Sequence, residues 1–268
     1  MNTIPRSEHP KPQFQRDKWM NLNGQWAFEI DNGRSGKARG LHQADAQLSD
    51  TILVPFCPQS ELSGVNHKDF LSGVWYRRTF ELTKEQLSGR VVLHFGAVDY
   101  HCEAFVNGVS VGTHTGGYVS FCFDVTEAVH EGENVITVYA EDDERDPLIP
   151  RGKQSELFYS HGCDYTRTTG IWQTVWMEFL PETHIEKIKI FPSVETGSFD
   201  VEALLKGAGT LAVEASYEGR PMGAASVKAD GGLVRLHLPL QETHMWELGC
   251  GRLYDLKLTY GADTVQSY

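Results

Sequence analysis

Residues with high strand propensity recur along this chain in short runs, and turn-forming residues separate the runs. Val, Ile, Thr and aromatic residues fill the runs, while Gly, Asn, Asp and Pro occupy the intervals. No stretch keeps an amphipathic helical period for three turns, and the best helical candidates are single turns at 83–87 and 126–129. The pattern predicts an all-β fold of the sandwich type. The clearest predicted strands are 90–95, 102–106, 135–140 and 171–179.

One hairpin turn is marked by two adjacent residues that tolerate a positive φ. Asn107-Gly108 lies between the predicted strand 102–106 and the run 109–112. A two-residue hairpin loop requires a positive φ at its central positions, and Asn-Gly is a preferred pair there. The sequence therefore predicts a tight hairpin at this point.

A proline marks a boundary between two predicted domains. Leu180-Pro181-Glu182-Thr183 separates the predicted strands 171–179 and 185–191, and proline interrupts a strand ladder. We place the boundary at residue 182, which gives domains 1–182 and 183–268. Further strands are predicted at 199–205, 210–217, 233–238 and 254–260, enough for a small seven-stranded sandwich. Alternation in the run 233–238 places Arg235 and His237 on its solvated face.

Charge and composition exclude several classes of partner. Asp and Glu number 36 against 24 Lys and Arg, so a phosphate backbone or an anionic membrane would be repelled on average. No apolar run approaches the ~20 residues that cross a bilayer, and the first residues do not resemble a signal peptide. We expect no nucleic-acid partner and no membrane partner.

Cysteine usage favours a reducing compartment. The cysteines are odd in number, widely spaced and without a CxxC pair, which favours free thiols packed as small hydrophobic side chains. The expected location is therefore cytoplasmic. The cysteines are Cys57, Cys102, Cys122, Cys163 and Cys250.

Several longer phrases carry a family resemblance. WMNLNGQWAF at 19–28 and SGVWYRRTF at 72–80 are suggestive. More specific is 97–126, with VNG at 106–108, VGTHTGGY at 111–118 and FDVT at 123–126. DYTRTTGIWQTVW at 164–176 and Trp246 with LYDL at 253–256 complete the pattern. In their order, these phrases resemble the amino-terminal region of family 2 glycoside hydrolases, which include β-galactosidases, β-glucuronidases and β-mannosidases.

The resemblance implies both a fold and a role. It implies a galactose-binding-like jelly-roll β-sandwich at 1–182, followed by an immunoglobulin-like β-sandwich at 183–268. Residues 263–268 are similar to the point where the family's chain continues into its catalytic barrel. We therefore expect the non-catalytic front part of a β-galactosidase or β-glucuronidase, which binds a β-linked sugar or oligosaccharide beside a catalytic barrel.

The family's chemistry needs groups that we do not find in this sequence. Retaining glycoside hydrolysis uses two carboxyl groups about 5 Å apart, and in this family both stand on barrel strands. A barrel takes at least about 200 residues, whereas all 268 residues are assigned to sandwiches and no Asn-Glu pair occurs. We predict no catalytic residue within the chain, and no activity from the chain alone.

Asp164 is the leading candidate for a sugar contact. The resemblance implies that it lies on a jelly-roll loop projecting into the active site, where a carboxylate accepts hydrogen bonds from sugar hydroxyls. Two oxygens can take two neighbouring hydroxyls, and charge-assisted bonds are about twice as strong as neutral ones. An ordinary solvated loop aspartate is the competing interpretation. Arg167 is a second candidate, which would orient Asp164 or reach the sugar, or else form a salt bridge within the loop.

Asp142 and Asp143 are the remaining candidates. They follow the predicted strand 135–140, and the resemblance implies an aspartate near this point that contacts substrate in β-galactosidases. A run of like charges is more often a solvated loop.

Metal and cofactor sites are not expected. His161, Cys163 and Asp164 lie close together, but no HExxH or CxxC spacing supports a metal site. The tryptophans at 26, 75, 172, 176 and 246 sit in strand patterns, and most should be buried.

Two other functions remain open at this stage. One is a free-standing carbohydrate-binding module or lectin, and the other is a cell-surface adhesion sandwich, which the absence of a signal peptide and of paired cysteines disfavours. The residues leave open the preferred sugar and whether a homo-oligomer forms.

Overall fold

The chain folds into two compact units of β-structure. The computed structural model describes residues 4–143 and 145–268. The first unit contains residues 4–8 and Trp19–Phe179, and the second contains His9–Lys18 and Leu180–Tyr268. Apart from two 3₁₀ turns, the regular elements are strands, so the predicted all-β fold is confirmed.

The first unit, as far as its residues are described, is a sandwich built from twelve strands. A six-stranded sheet has the order β3-β2-β4-β10-β7-β8, a four-stranded sheet has the order β1-β12-β5-β9, and β11 pairs with β6. The strands are β1 (Trp19–Asn21), β2 (Gly24–Ile30), β3 (Asp50–Val54), β4 (Val74–Leu82), β5 (Arg90–Phe95), β6 (Val98–Asp99), β7 (His101–Val106), β8 (Val109–Thr115), β9 (Phe121–Asp124), β10 (Gly132–Glu141), β11 (Gly170–Ile171) and β12 (Val175–Leu180).

The core of the first unit follows from the period-two pattern of its strands. In β5, Val91, Leu93 and Phe95 are fully buried while the residues between them are partly exposed. Trp26, Trp75 and Trp176 are also buried, as predicted, whereas Trp172 is only half-buried. Each large buried side chain contributes roughly 1.5–3 kcal/mol of hydrophobic stabilisation.

Two local predictions differ from the structure. The strand predicted at 171–179 is divided between β11 and β12, because Trp172 turns aside and its indole Nε1–H donates to the carbonyl of Gly117 at 2.8 Å. A 3₁₀ turn forms at Thr126–Ala128, within the predicted segment, but residues 83–87 form a non-helical turn. Glu61–Ser63, which the pattern did not mark, forms the other 3₁₀ turn.

The Asn107-Gly108 hairpin connects β7 and β8 as predicted. Asn107 has φ 51° and Gly108 has φ 82°. The side chain of Asn107 adds three bonds. Its Nδ2 donates to the carbonyl of Ala128 and to Asn134 Oδ1, both at 2.8 Å, and its Oδ1 accepts the N–H of Val135 at 2.9 Å.

Gly108→Ala should lower the free energy of unfolding by about 1–2 kcal/mol, the cost of an L side chain in the left-handed region. Steric crowding is not the cause, because the nearest heavy atom to an added Cβ is 3.5 Å away. Gly33→Ala is the matched control, because Gly33 has no positive φ and no heavy atom within 4 Å of an added Cβ. Equal urea midpoints for the two variants would contradict this reasoning.

The second unit is a sandwich of seven strands, the number that the sequence predicts. A three-stranded sheet has the order β13-β14-β17, and a four-stranded sheet has the order β16-β15-β18-β19. In β17, Leu236 and Leu238 are buried while Arg235 and His237 are exposed, as predicted. The strands are β13 (His184–Ser193), β14 (Ser198–Lys206), β15 (Gly209–Tyr217), β16 (Arg220–Ala229), β17 (Gly232–Pro239), β18 (Asp255–Tyr260) and β19 (Asp263–Ser267).

The segment His9–Lys18 packs with the second unit, although the sequence analysis assigned it to the first domain. Its Arg16 is buried, and the guanidinium donates to both carboxylate oxygens of Asp263, each at 2.9 Å. Arg16 also donates to the carbonyl of Ile185. An ion pair between residues so distant in sequence leaves no periodic trace, so the pattern could not assign the segment.

The cysteines only partly match the expectation of small buried side chains. Cys102 is buried, Cys57 and Cys250 are intermediate, and Cys122 and Cys163 are exposed; all five are free thiols. Within the described residues, no helix is long and apolar enough to cross a membrane.

Candidate functional site

The predicted site residues lie on one long loop of the first unit. This long loop comprises residues 142–169, described apart from residue 144, and it connects β10 to β11. β10 lies between β4 and β7 within the six-stranded sheet. The loop therefore starts from a strand that is held on both sides.

Asp142 is the first residue of the long loop, and it is buried. Its relative exposure is 5%, and its negative charge raises the pKa of Tyr118. The pKa of Tyr118 is raised by burial and by the negative charges of Asp99 and Asp142, while a hydrogen bond from Gln154 opposes the rise. Asp142 thus belongs to a polar layer at the base of the loop.

Gln154 organises this polar layer. Its Nε2 donates to Asp99 Oδ2 at 2.7 Å and to the hydroxyl of Tyr118 at 3.2 Å, and its Oε1 accepts the N–H of Thr168 at 2.5 Å. The hydroxyl of Tyr118 donates to the carbonyl of Arg151 at 2.7 Å. The middle of the loop is therefore bonded to Asp99 and Tyr118, and to the carboxyl end of the same loop at Thr168.

Asp143 is exposed and forms a local turn. Its Oδ1 accepts the N–H of Arg145 at 3.1 Å, and its carbonyl accepts the N–H of Asp146 at 3.0 Å. These contacts are those of a solvated loop aspartate, and they provide a control position on the same loop as Asp164.

Asp164 is held between two backbone bridges. It exchanges backbone hydrogen bonds with His161, at 3.1 and 2.8 Å, around the left-handed Gly162. The next residue, Tyr165, bonds through its N–H to the carbonyl of Lys153 at 2.7 Å. The Asp164 side chain is 21% exposed, so it is fixed in position yet reachable by a ligand.

Arg167 holds the long loop in shape through hydrogen bonds to backbone carbonyls. It is 2% exposed, and its guanidinium donates to the carbonyls of Ser155 (3.2 Å), Leu157 and Lys68. The guanidinium also stacks on Phe70, with its carbon 4.1 Å from the ring centre. Among the described residues, its hydrogen bonds are to backbone carbonyls, the pattern of a residue that holds a loop in shape.

Four exposed aromatic residues lie on the long loop or contact it. We call them the aromatic rim: Tyr118, Phe158, Tyr159 and Tyr165, which are 51–67% exposed. Aromatic rings offer apolar faces, and tyrosine adds a polar group. The sequence analysis missed the rim; the signal was that Phe158-Tyr159 stand in a polar stretch without strand alternation.

Three possible metal ligands also meet on the loop. One ligand atom each from Glu156, His161 and Asp164 lies within 4.8 Å of the others. The pKa of Glu156 is lowered chiefly by its own backbone N–H. Desolvation opposes this, and the charges of Arg151 and His161 lower the pKa further. Cys163, which the sequence analysis considered as a ligand, is exposed and contacts Asp164 Oδ1 at 3.9 Å.

The second unit carries a separate apolar groove of about 710 Å³. Trp246 lines it and is 63% exposed, contrary to the expectation that strand-pattern tryptophans are buried, because residue 246 lies in the irregular connection between β17 and β18. Other lining residues include Phe191, Val194, Met245 and Leu253.

Comparison with known proteins identifies the family. Residues 19–181 match the family described as "Glycosyl hydrolases family 2, sugar binding domain". A β-sandwich with a fixed, partly exposed loop carboxylate among aromatic residues is consistent with this class of domain. The chain belongs to glycosyl hydrolase family 2, as the resemblance predicted.

Curated relatives are longer than this chain. A putative β-glucuronidase of Formosa agariphila is 26% identical over 261 residues, covering 94% of this chain and 30% of that protein. A β-galactosidase of Thermoanaerobacter pseudethanolicus is 34% identical over 123 residues, covering 45% of this chain and 16% of that protein. This chain thus spans less than half of these relatives and corresponds to their non-catalytic, sugar-binding part.

A solved structure supports the fold. The β-glucuronidase of Ruminococcus gnavus in complex with D-glucuronic acid superposes with a TM-score of 0.75 at 19% identity. The match covers 95% of this chain and 46% of that chain. At this identity the likeness establishes the fold alone.

Proposed function

We propose that this chain recognises a β-linked sugar and positions it for the catalytic barrel of a longer family 2 glycosidase. The observation that carries the proposal is the placement of Asp164, a partly exposed carboxylate held by backbone bridges on the long loop of a sugar-binding domain. A fixed carboxylate loses little conformational entropy when it binds, which favours recognition.

The chemistry of the loop suits sugar hydroxyls. The two oxygens of Asp164 can accept hydrogen bonds from adjacent hydroxyls, and such charge-assisted bonds contribute about 1.5–3 kcal/mol each. The aromatic rim offers ring faces that can pack against the C–H faces of a sugar. Arg167 contributes indirectly, because its bonds to backbone carbonyls hold the loop that carries Asp164.

The proposed longer enzyme is of the β-glucuronidase or β-galactosidase type. Relatives of both names match this chain, and it spans a minor part of each. Both carboxyl groups of the catalytic pair would then lie outside these 268 residues.

The isolated chain should bind sugar weakly. We expect dissociation constants of about 1 mM or poorer for glucuronic acid and galactose, because one carboxylate and a few ring contacts supply only about 4 kcal/mol. Two-dimensional NMR titration should shift backbone signals of the long loop, and Asp164→Asn should reduce those shifts at equal sugar concentration. No hydrolysis of aryl β-glucuronides or aryl β-galactosides is expected.

Asp143→Asn is the matched control for this titration, because Asp143 lies on the same loop but forms a solvated turn. Equal loss of binding in both variants would show that Asp164 is not the contact. A micromolar constant would instead support a free-standing lectin, and hydrolysis that a single Asp→Asn change abolishes would refute the non-catalytic role.

A further inference from the structure

The geometry points to a divalent transition-metal site on the long loop, formed by Glu156, His161 and Asp164, for an ion of the Zn²⁺ class. One ligand atom from each residue lies within 4.8 Å of the other two. The site needs no sugar, although it shares Asp164 with the proposed sugar contact.

The separations are close to those of a coordinated ion. His161 Nε2 lies 3.5 Å from Glu156 Oε2 and 3.9 Å from Asp164 Oδ2. Zn–N and Zn–O bonds of 2.0–2.2 Å in a tetrahedral site place neighbouring ligand atoms about 3.3–3.6 Å apart. Small side-chain rotations therefore suffice to bring the three atoms onto one ion.

Backbone hydrogen bonds hold these ligand residues near one another. The reciprocal bonds between His161 and Asp164 hold these two residues opposite each other across Gly162. Ser155 holds the other part of the loop, since its hydroxyl donates to the carbonyl of Tyr159 at 2.8 Å. Ligands that are already positioned lose less entropy when they bind an ion.

Two of the ligand atoms are shielded from water. His161 Nε2 and Glu156 Oε2 are both inaccessible to solvent. Glu156 Oε2 is paired with Arg151, whereas His161 Nε2 has no hydrogen-bond partner among the described residues. Buried polar atoms normally have a partner, and each exception calls for an explanation. An ion between the three side chains would give His161 Nε2 a partner.

Arg151 is a nearby cation that competes with an ion. Its Nη1 lies 2.9 Å from Glu156 Oε2 in an ion pair, and Oε2 is also the oxygen nearest His161 Nε2. An ion at this position would displace Arg151 to the other oxygen of the same carboxylate, Oε1. Metal-bound carboxylates commonly have such an outer partner.

The ligand set selects the class of ion. One imidazole nitrogen and two carboxylate oxygens suit Zn²⁺ and Co²⁺, whereas Ca²⁺ and Mg²⁺ prefer oxygen alone. Three protein ligands leave a fourth tetrahedral position for water. The sequence analysis expected no metal site because no HExxH or CxxC spacing occurs, and it considered His161, Cys163 and Asp164 but not Glu156.

Cobalt provides the direct test, because tetrahedral Co²⁺ absorbs strongly in the visible range. The purified chain should bind one equivalent of Co²⁺ with such bands, and Zn²⁺ should abolish them. His161→Gln and Glu156→Gln should each weaken binding by more than about 100-fold, since loss of a mere supporting partner costs about 10–100-fold. Near-UV circular dichroism establishes that both variants remain folded.

Two variants serve as controls. Cys163→Ser removes the exposed thiol beside the site, and His237→Ala removes an exposed histidine of the second unit that pairs with Asp200 at 2.7 Å. Both should bind Co²⁺ as the unchanged chain does. Absence of tetrahedral bands at one equivalent, their survival in His161→Gln, or their loss in Cys163→Ser would each overturn the site.

Discussion

Asp164→Asn in the proposed full-length enzyme should lower kcat/KM by about 10–1,000-fold, the equivalent of one or two charge-assisted hydrogen bonds to sugar hydroxyls. The substitution keeps the shape of the side chain and removes its charge. Because the Asp164 side chain is 21% exposed and its place on the loop is held by backbone hydrogen bonds rather than by the carboxylate, the fold should survive. Steady-state kinetics should therefore show the loss of kcat/KM while the melting temperature changes little.

Asp143→Asn is again the control, and its kcat/KM should stay within about twofold. A kcat/KM within about twofold for Asp164→Asn would show that Asp164 does not contact the sugar. A large drop in its melting temperature would show that Asp164 stabilises the fold instead. His161→Gln separates the two proposals, because it removes a metal ligand and leaves the carboxylate of Asp164 in place. Unchanged kinetics in His161→Gln together with lost Co²⁺ binding would support both proposals independently.

Asp263→Ala should lower the stability of the second unit by about 3–5 kcal/mol, because it leaves the buried guanidinium of Arg16 without its counter-charge. The carboxylate accepts two bonds from Arg16 and one from the N–H of Ile185, all at 2.9 Å. Arg16 and Asp263 are only 4% and 3% exposed, so water cannot replace the lost partner.

Hydrogen exchange resolved by peptide, combined with urea unfolding, is the suitable measurement, because the chain has two units and a single transition cannot be assumed. Protection should fall in β13 and β19 and remain in β4 and β10. Asp200→Ala is the control, since its pair with His237 is about 60% exposed on both sides and exposed pairs contribute about 0–1 kcal/mol. Equal effects of the two substitutions would contradict a structural role for the Arg16 pair.

The alternating burial of β17 and the hairpin illustrate what the sequence alone determined. The alternation at 233–238 and the positive φ at Asn107-Gly108 depend on neighbours in sequence, so local patterns predicted them. The family also followed from the sequence, because its turn glycines and aromatic residues occur in a fixed order along the chain.

The tertiary structure alone decided the features that depend on distant contacts or irregular backbone. The Arg16–Asp263 pair joins the two ends of the chain, and no periodic signal records it. From the sequence, Arg167 was a candidate sugar contact. Its bonds to backbone carbonyls depend on the folded path of the long loop, which the sequence does not show. The closeness of Glu156 to His161 and Asp164 was likewise not predictable from the sequence. The long loop has no repeating geometry, so spacing along the chain does not give distance in space.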